Sequence, residues 1–130
     1  MKLLKLTPSG ELTVILTSRA KLLDTCHREI GCTCIEMPGC MKLPWPYQMI
    51  VDESGRLKED PVVNMAAWWM YSRGALEAPI DGTVLIGRLG RVGVYQEEDI
   101  VSLTDEDIEV LTDYITRIGA TIENITCGRT

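Results

Sequence analysis

The fold of this chain is decided by residues 80–118, IDGTVLIGRLGRVGVYQEEDIVSLTDEDIEVLTDYITRI, where apolar runs lead into a capped acidic helix. Residues 82–87 form one run rich in β-branched and aliphatic side chains, and residues 92–95 form a shorter one. Arg88, Gly90 and Arg91 lie between the two runs. This spacing predicts two strands that pair as a hairpin across a turn at residues 88–91.

The second half of the stretch carries the clearest helix pattern in the chain. Thr104 is a favoured N-cap residue, and the three acids after it suit the positive end of the helix dipole. Gly119 predicts the end of this helix, and residues 119–130 are then a C-terminal extension, either an extra strand or flexible. Apolar residues recur between these limits at steps of three and four: Ile108, Leu111, Ile115 and Ile118.

The acidity of the chain is concentrated in this stretch. The net charge is −6, yet eight carboxylates and no lysine or arginine lie between Glu97 and Asp113, so the rest of the chain is slightly basic. The helix dipole explains the acids at 105–107 without any ligand. We predict that the others form a surface that binds a basic patch on a partner protein. These candidate residues are Glu97, Glu98, Asp99, Glu109 and Asp113.

Length and composition indicate an ordinary globular protein. A chain of 130 residues that is 45% hydrophobic and 25% charged suits one domain, over residues 1–130. Lys5, Pro8 and Glu11 interrupt the apolar N-terminus, and no run approaches the ~18 apolar residues of a membrane span. We therefore expect a cytoplasmic protein with no membrane partner. The negative charge and the scattered basic residues argue against direct nucleic-acid binding.

The segments before residue 80 predict a sheet with further helices. Apolar residues 3–6 and 12–16 flank a Thr-Pro-Ser-Gly turn and predict an antiparallel hairpin. Thr17 or Ser18 then caps an amphipathic helix that ends at Gly31. The patterns at residues 32–37 and 47–51 predict two more strands, with a proline-rich loop between them and a tight turn after them at 52–55.

A further helix is predicted over residues 61–71, because Asp60 and Pro61 are a favourable helix start. This helix is apolar nearly all round, so it must be covered on more than one side. We expect it at an edge of the core or at a homodimer contact. The predicted fold class is α+β: a single compact domain, with a mostly antiparallel sheet and two or three packed helices.

Aromatic and basic residues offer an alternative function, the binding of a small nucleotide ligand. Trp68 and Trp69 lie about 100° apart around the helix axis, so one core-facing side cannot take both rings equally. Aromatic side chains with nearby arginines suit a flat anionic ligand, although core packing or a dimer contact also explains them. The candidate residues are Trp45, Trp68, Trp69, Tyr71, Arg88 and Arg91.

Cysteine spacing offers a second alternative, a zinc-supported structural module. Structural zinc sites favour C-x-x-C pairs in a tight turn, which this sequence lacks, and buried thiols explain the cysteines equally well. We expect no cofactor, with zinc as the alternative. With one histidine and no nucleophile, phosphate-binding or dinucleotide motif, the sequence favours a protein that is not an enzyme. The candidate metal ligands are Cys26, Cys32, Cys34 and Cys40.

Four segments in a fixed order resemble a known family: VDESGRL at 51–57, PVVN at 61–64, IDGTVLIG at 80–87 and EDIVSLTDEDI at 98–108. Together they resemble the domain of unknown function family 3846, over about residues 1–118. The resemblance implies a small protein of a phage, prophage or conjugative element, located in the cytoplasm of the bacterial host. It carries over no catalytic residues.

Accessory proteins of such elements often act against host defence. The resemblance therefore favours an inhibitor that binds a host protein through the acidic surface. Sequestration of a small nucleotide signal is the alternative in the same setting. Both expectations come from the resemblance rather than from a chemical site.

Overall fold

The structure is a computed structural model and describes residues 1–72 and 78–127. These residues contain two short 3-10 turns, Arg19–Lys21 and Gly55–Leu57. The strands are β1 (Lys2–Leu6), β2 (Leu12–Leu16), β3 (Ile35–Glu36), β4 (Tyr47–Asp52), β5 (Val84–Val92) and β6 (Glu97–Val101). The helices are α1 (Leu22–Ile30), α2 (Met65–Tyr71) and α3 (Asp105–Cys127).

Strand β5 organises an antiparallel sheet of six strands in the order β2-β1-β5-β4-β3, with β6 also paired to β5. One edge of β5 pairs with β4. The other edge is shared, because β1 pairs with its first residues and β6 with its last five. The predicted α+β fold with a mostly antiparallel sheet is therefore confirmed.

The two faces of the sheet carry separate cores. Successive side chains of a strand point to opposite faces, so neighbours in β5 divide between the cores. Leu85 packs on the α1 side with Cys26, Ile30 and other buried residues. Ile86 packs on the other side, with buried residues of α2 and α3. The chain thus has three layers, with α1 on one face and α2 and α3 on the other.

Several local predictions in the first half of the chain are confirmed. Strands β1 and β2 form the expected hairpin, and the turn after Asp52 is present. Helix α1 ends at Gly31, whose φ of 77° is the left-handed conformation that glycine adopts at low cost. Ser18 is the N-cap residue of a 3-10 turn that runs directly into α1, so its predicted position is confirmed, but its side chain makes no capping bond. The strand predicted at 32–37 is limited to β3.

The predicted helix start at Asp60 was wrong, because α2 begins at Met65. Val63 instead forms a bridge with Asp81, so this part of the chain runs beside the approach to β5. Asn64 is the actual N-cap, and its side-chain oxygen accepts a bond of 3.1 Å from Ala67. The tertiary pairing of the residues before Asn64 thus overrides the local Asp-Pro start signal.

The predicted turn at residues 88–91 was also wrong. Strand β5 continues through these residues to Val92, and the turn lies at residues 93–96. Gly90 belongs to the strand, where an added Cβ would lie 2.9 Å from Val101 on β6. The glycine therefore permits a close approach of two strands, and residues 97–101 form β6.

Helix α3 does not stop at Gly119. It spans 23 residues to Cys127, so the part of the predicted extension before residue 128 is helical. Residues 128–130 lie outside the described residues. None of the helices in the described part of the chain combines the length and the hydropathy needed to span a bilayer.

Candidate functional site

The β5–β6 hairpin ends in two strongly exposed apolar side chains. Val94 is 93% exposed and Tyr95 is 87% exposed, so neither contributes to the core. The turn that carries them is well held: the Gln96 side-chain amide donates to the Gly93 carbonyl at 3.0 Å, and the Arg91 guanidinium donates to the Gln96 carbonyl at 3.2 Å. The exposed pair is therefore presented on an ordered turn.

Two predicted acidic residues follow this turn directly. Glu97 and Glu98 are exposed at the start of β6, opposite Val92 and Arg91 of β5. Among the described residues, neither glutamate has an ion-pair partner. Their negative charges are consequently available at the hairpin, beside Tyr95.

Asp99 has a different environment from the two glutamates. Its carboxylate forms an ion pair of 3.0 Å with Arg19, which lies in the 3-10 turn before α1. Arg19 also donates to the backbone carbonyl of Ile100. Asp99 therefore fixes the base of the hairpin to the α1 layer, and its charge is balanced within the chain.

The acids of α3 are also partly balanced. Asp105 pairs with Lys2 at 2.5 Å, and Asp113 pairs with Arg117 at 3.0 Å one helical turn later. Glu109 is exposed, and the described residues offer it no ion-pair partner. Within the described part of the chain, three of the five predicted partner-binding acids thus have no ion-pair partner: Glu97, Glu98 and Glu109.

Asp107 is the buried member of the acidic segment and belongs to the structure. It accepts hydrogen bonds of 2.8 Å from Tyr47 and from Arg88, and it forms a reciprocal capping pair with Thr104. Burial alone would raise its pKa, but the bonds from Thr104 and Tyr47 and the charge of Arg88 together lower the pKa below its usual value. This network joins β4, β5 and the start of α3.

The structure separates the predicted acidic surface into two parts. Helix α3 starts beside Arg88 and runs toward the turn between β1 and β2, where Gly119 borders a cavity with Pro8. Strand β6 runs in the same direction as α3 and leads away from the hairpin turn. Strand and helix rises then place Glu98 and Glu109 roughly 20 Å apart.

The residues proposed for a nucleotide ligand are not brought together. Side chains three residues apart in a strand point to opposite faces, so Arg88 and Arg91 diverge, and Arg88 is already paired with Asp107. Trp45 is 72% exposed, whereas Trp68 and Trp69 pack against the core on the α3 side. The Lys42 ammonium lies 4.5 Å from the centre of the Trp69 ring.

The four candidate cysteine ligands are likewise dispersed. Cys26 lies in the core on the α1 side, whereas Cys40 packs against the core on the opposite face of the sheet. The described residues contain no group of three or more side chains that could hold a metal ion. Burial, followed by the nearby Cys32, raises the pKa of the Cys26 thiol to about 11.

Sequence reasoning missed an apolar groove beside the hairpin. It lies between α1 and the sheet and has a volume of about 350 Å³. Its lining is mainly apolar, with Leu22 of α1, Ile50 of β4 and Ile100 of β6, and it also includes Arg19 and Asp99. Leu23 and Met37 in this groove are 55% and 51% exposed. Helical spacing puts Leu23 on the same apolar stripe as Cys26 and Ile30, so no sequence signal indicated that Leu23 is exposed.

The groove and the hairpin tip form one continuous surface, because Val92 lines the groove and the chain then passes directly into the turn that carries Tyr95. We call this the hairpin surface. It consists of Leu23, Met37, Val92, Val94 and Tyr95, together with Glu97 and Glu98, which follow each other in β6 and therefore project to opposite faces of that strand.

Comparison with known proteins places this architecture in a described family. The sequence pattern of "Domain of unknown function (DUF3846)" matches residues 1–118. Comparisons with curated proteins and with solved structures find no match.

Proposed function

This chain belongs to the DUF3846 family, and we propose that it is a non-enzymatic protein that binds a host protein through the hairpin surface. The observation that carries the proposal is the placement of Tyr95 and Val94. Both side chains are almost fully exposed on an ordered turn, with Glu97 and Glu98 next to them.

Exposed tyrosine on an ordered turn is a typical anchor for protein recognition. Tyrosine supplies a large contact area and a hydroxyl, and it is enriched among the residues that dominate binding energy. A turn that is already ordered loses little conformational entropy when it is bound. Tyr95 and Val94 are therefore suited to fill an apolar pocket of a partner.

The negative charges of the hairpin favour a partner whose apolar pocket is surrounded by basic residues. Glu97 and Glu98 carry negative charges that the described part of the chain does not balance. Opposite charges on two partners accelerate their encounter and fix their orientation. The partner surface that suits this hairpin is accordingly an apolar pocket surrounded by lysine or arginine.

The groove beside the hairpin supplies additional contact area. A stable interface buries about 800 Å² on each partner, which a single turn cannot provide. Leu23 and Met37 extend the exposed apolar surface from the hairpin toward α1. A partner that covers both the turn and the groove would reach the area of an ordinary interface.

The biological role that we propose is inhibition of a host defence protein. It rests on the phage and mobile-element setting that the sequence resemblance implies, and on the acidic, apolar character of the hairpin surface. A protein that covers a basic functional surface can block it without any chemical reaction. In this proposal the chain is a phage or mobile-element protein and acts on the host protein in the bacterial cytoplasm.

The test is affinity capture from bacterial host lysate, followed by binding kinetics with the purified captured protein. The hairpin variants are Val94→Ala with Tyr95→Ala, and Glu97→Lys with Glu98→Lys. The apolar variant should dissociate faster, and the charge reversal should bind more slowly and lose most of its salt dependence.

The matched control is Glu109→Lys, which changes an exposed glutamate on the separate α3 surface. It should bind like the unmodified protein. The proposal is overturned if both hairpin variants keep the affinity and salt dependence of the unmodified protein, or if the control loses binding as strongly as they do.

A further inference from the structure

Strand β2 is the outermost strand of the sheet, and no other strand in the described part of the chain pairs with its outer edge. Thr17 and Met1 exchange two backbone hydrogen bonds of 3.0 Å, and Thr7 donates to Glu11 at 3.0 Å at the other end of the hairpin. Hydrogen-bonded pairs alternate along an antiparallel ladder, so the residues of β2 that bond to β1 are odd-numbered. The residues whose backbone groups point outward are Leu12, Val14 and Leu16.

No described residue satisfies these outward groups. The backbone bonds outside the regular ladders include none to Leu12, Val14 or Leu16, and no described side chain bonds to them. Val14 is 41% exposed and Leu16 is 71% exposed, so apolar side chains accompany the unpaired backbone. An uncovered apolar edge of this kind is a template for another strand.

The edge also lacks the usual protection against strand addition. Proteins commonly block such edges with charges, proline or a bulge, and β2 with its sequence LTVIL has no charge and no proline. The outer side of β6 differs, since Arg19 bonds to the carbonyl of Ile100 there and the strand begins with Glu97 and Glu98. The outer edge of β6 is therefore protected against pairing with another strand, whereas the outer edge of β2 is not.

The outward residues are symmetric about Val14. An antiparallel pairing that places Val14 opposite its own copy also places Leu12 opposite Leu16, and every outward group then finds a partner. Glu11 falls opposite the uncharged Thr17 in this register. No pair of like charges results anywhere along the strand.

We propose that β2 pairs with β2 of a second copy of this chain, around a two-fold axis at Val14. The pairing joins two sheets edge to edge and covers the exposed Leu16 with Leu12 and Val14 of the second copy. It differs from the homodimer predicted through residues 61–71, because α2 takes no part in it. It is independent of the hairpin surface, which lies on other elements.

The experiment uses the full chain and measures molecular mass by sedimentation equilibrium over a range of concentrations. The variants are Val14→Lys and Val14→Glu, each studied alone and in equimolar mixture. Two like charges would meet at the axis in either variant alone, whereas the mixture brings opposite charges together. We expect each variant alone to weaken dimerisation at least about tenfold, and the mixture to restore it.

Val110→Lys is the matched control, because Val110 is a valine that is 50% exposed on α3. It should dimerise like the unmodified protein. Leu16→Lys gives a second test at the most exposed position of β2 and should also yield monomers. The proposal is overturned if the unmodified chain stays monomeric at its highest soluble concentration, or if the Val14 variants alone dimerise normally. It is also overturned if the mixture fails to restore the dimer, which would assign the edge to a different partner.

Discussion

The hydroxyl of Tyr47 donates a hydrogen bond of 2.8 Å to the carboxylate of Asp107, which ties the first residue of β4 to the first turn of α3. Arg88 on β5 donates to the same carboxylate oxygen. One buried carboxylate therefore joins two strands and a helix. The same carboxylate completes the cap of α3 through Thr104.

Replacement of Asp107 by asparagine should destabilise the protein by about 2 kcal/mol at neutral pH, because Arg88 loses its partner. The pKa of Asp107 is lowered in the folded state, so its contribution to stability is present above the unfolded pKa of about 4. That contribution is lost as the pH falls through the folded pKa. Urea denaturation from neutral to acid pH should show the difference from the unmodified protein shrinking; a constant difference contradicts this account.

Ionisation of the Tyr47 phenol should lower the stability of the folded protein at alkaline pH. Burial, followed by its bond to Asp107, raises its pKa from 10.0 to about 12. A raised folded pKa means that stability is complete below about pH 10 and is lost as the pH rises toward 12. Tyr47→Phe should cost about 1 kcal/mol at neutral pH and remove a late-titrating phenol from the ultraviolet titration. Tyr95→Phe should leave that phenol in place.

Asn64→Ala should be strongly destabilising because this side chain serves three backbone groups. It donates to the carbonyls of Leu6 and Gly82 and accepts from Ala67. Loss of the cap and of two buried bonds should cost about 2–3 kcal/mol in denaturant unfolding. Asp60→Ala, at the position that sequence alone favoured, should change stability by less than about 0.5 kcal/mol. Equal effects of the two substitutions would refute the assigned start of α2.

Gly119→Ala should stabilise the protein by about 0.5–1 kcal/mol in thermal or chemical unfolding. Gly119 lies inside α3, and an added Cβ would meet nothing within 4 Å. Alanine at a helical position lowers the entropy of the unfolded chain. Gly31→Ala is the contrasting variant: its φ of 77° is unfavourable for alanine, so it should lose about 1 kcal/mol. A loss of stability in Gly119→Ala would argue that α3 ends there.

The cysteines should differ in their rate of alkylation. Cys34 is exposed, whereas Cys26 is buried and has its pKa raised to about 11. Because the reagent must reach the thiol, the exposed Cys34 should react quickly with iodoacetamide at neutral pH, and the buried Cys26 only after denaturation. Peptide mass spectrometry with time resolves the two sites. Rapid labelling of Cys26 in the native protein would contradict its place in the core.

Three of the family segments lie together in the fold. They are the turn after Asp52, the residues before Asn64 and the approach to β5 at Asp81. Val63 forms a bridge with Asp81, and Gly55 lies close to Asp81. The resemblance had placed these segments only in order along the chain. Their contacts show that they fix the path between β4 and α2.

Sequence by itself determined the elements whose signals are local. The β1–β2 hairpin, the end of α1 at Gly31 and the capped start of α3 at Thr104 all follow from residues within a few positions of each other. Family membership likewise follows from the sequence. Turn chemistry, helix caps and apolar periodicity act over that range, so no tertiary context was needed.

Tertiary structure decided the elements that depend on distant partners. β5 runs through Arg88 because Asp107, far along the chain, neutralises it, and through Gly90 because Val101 packs closely there. Because residues 88–92 pair with β6, the turn lies at residues 93–96 instead of 88–91 and presents Tyr95 on the hairpin surface. Strand pairing and charge burial join residues that are remote in sequence, so a local pattern of arginine and glycine predicted a turn where the folded chain has a strand.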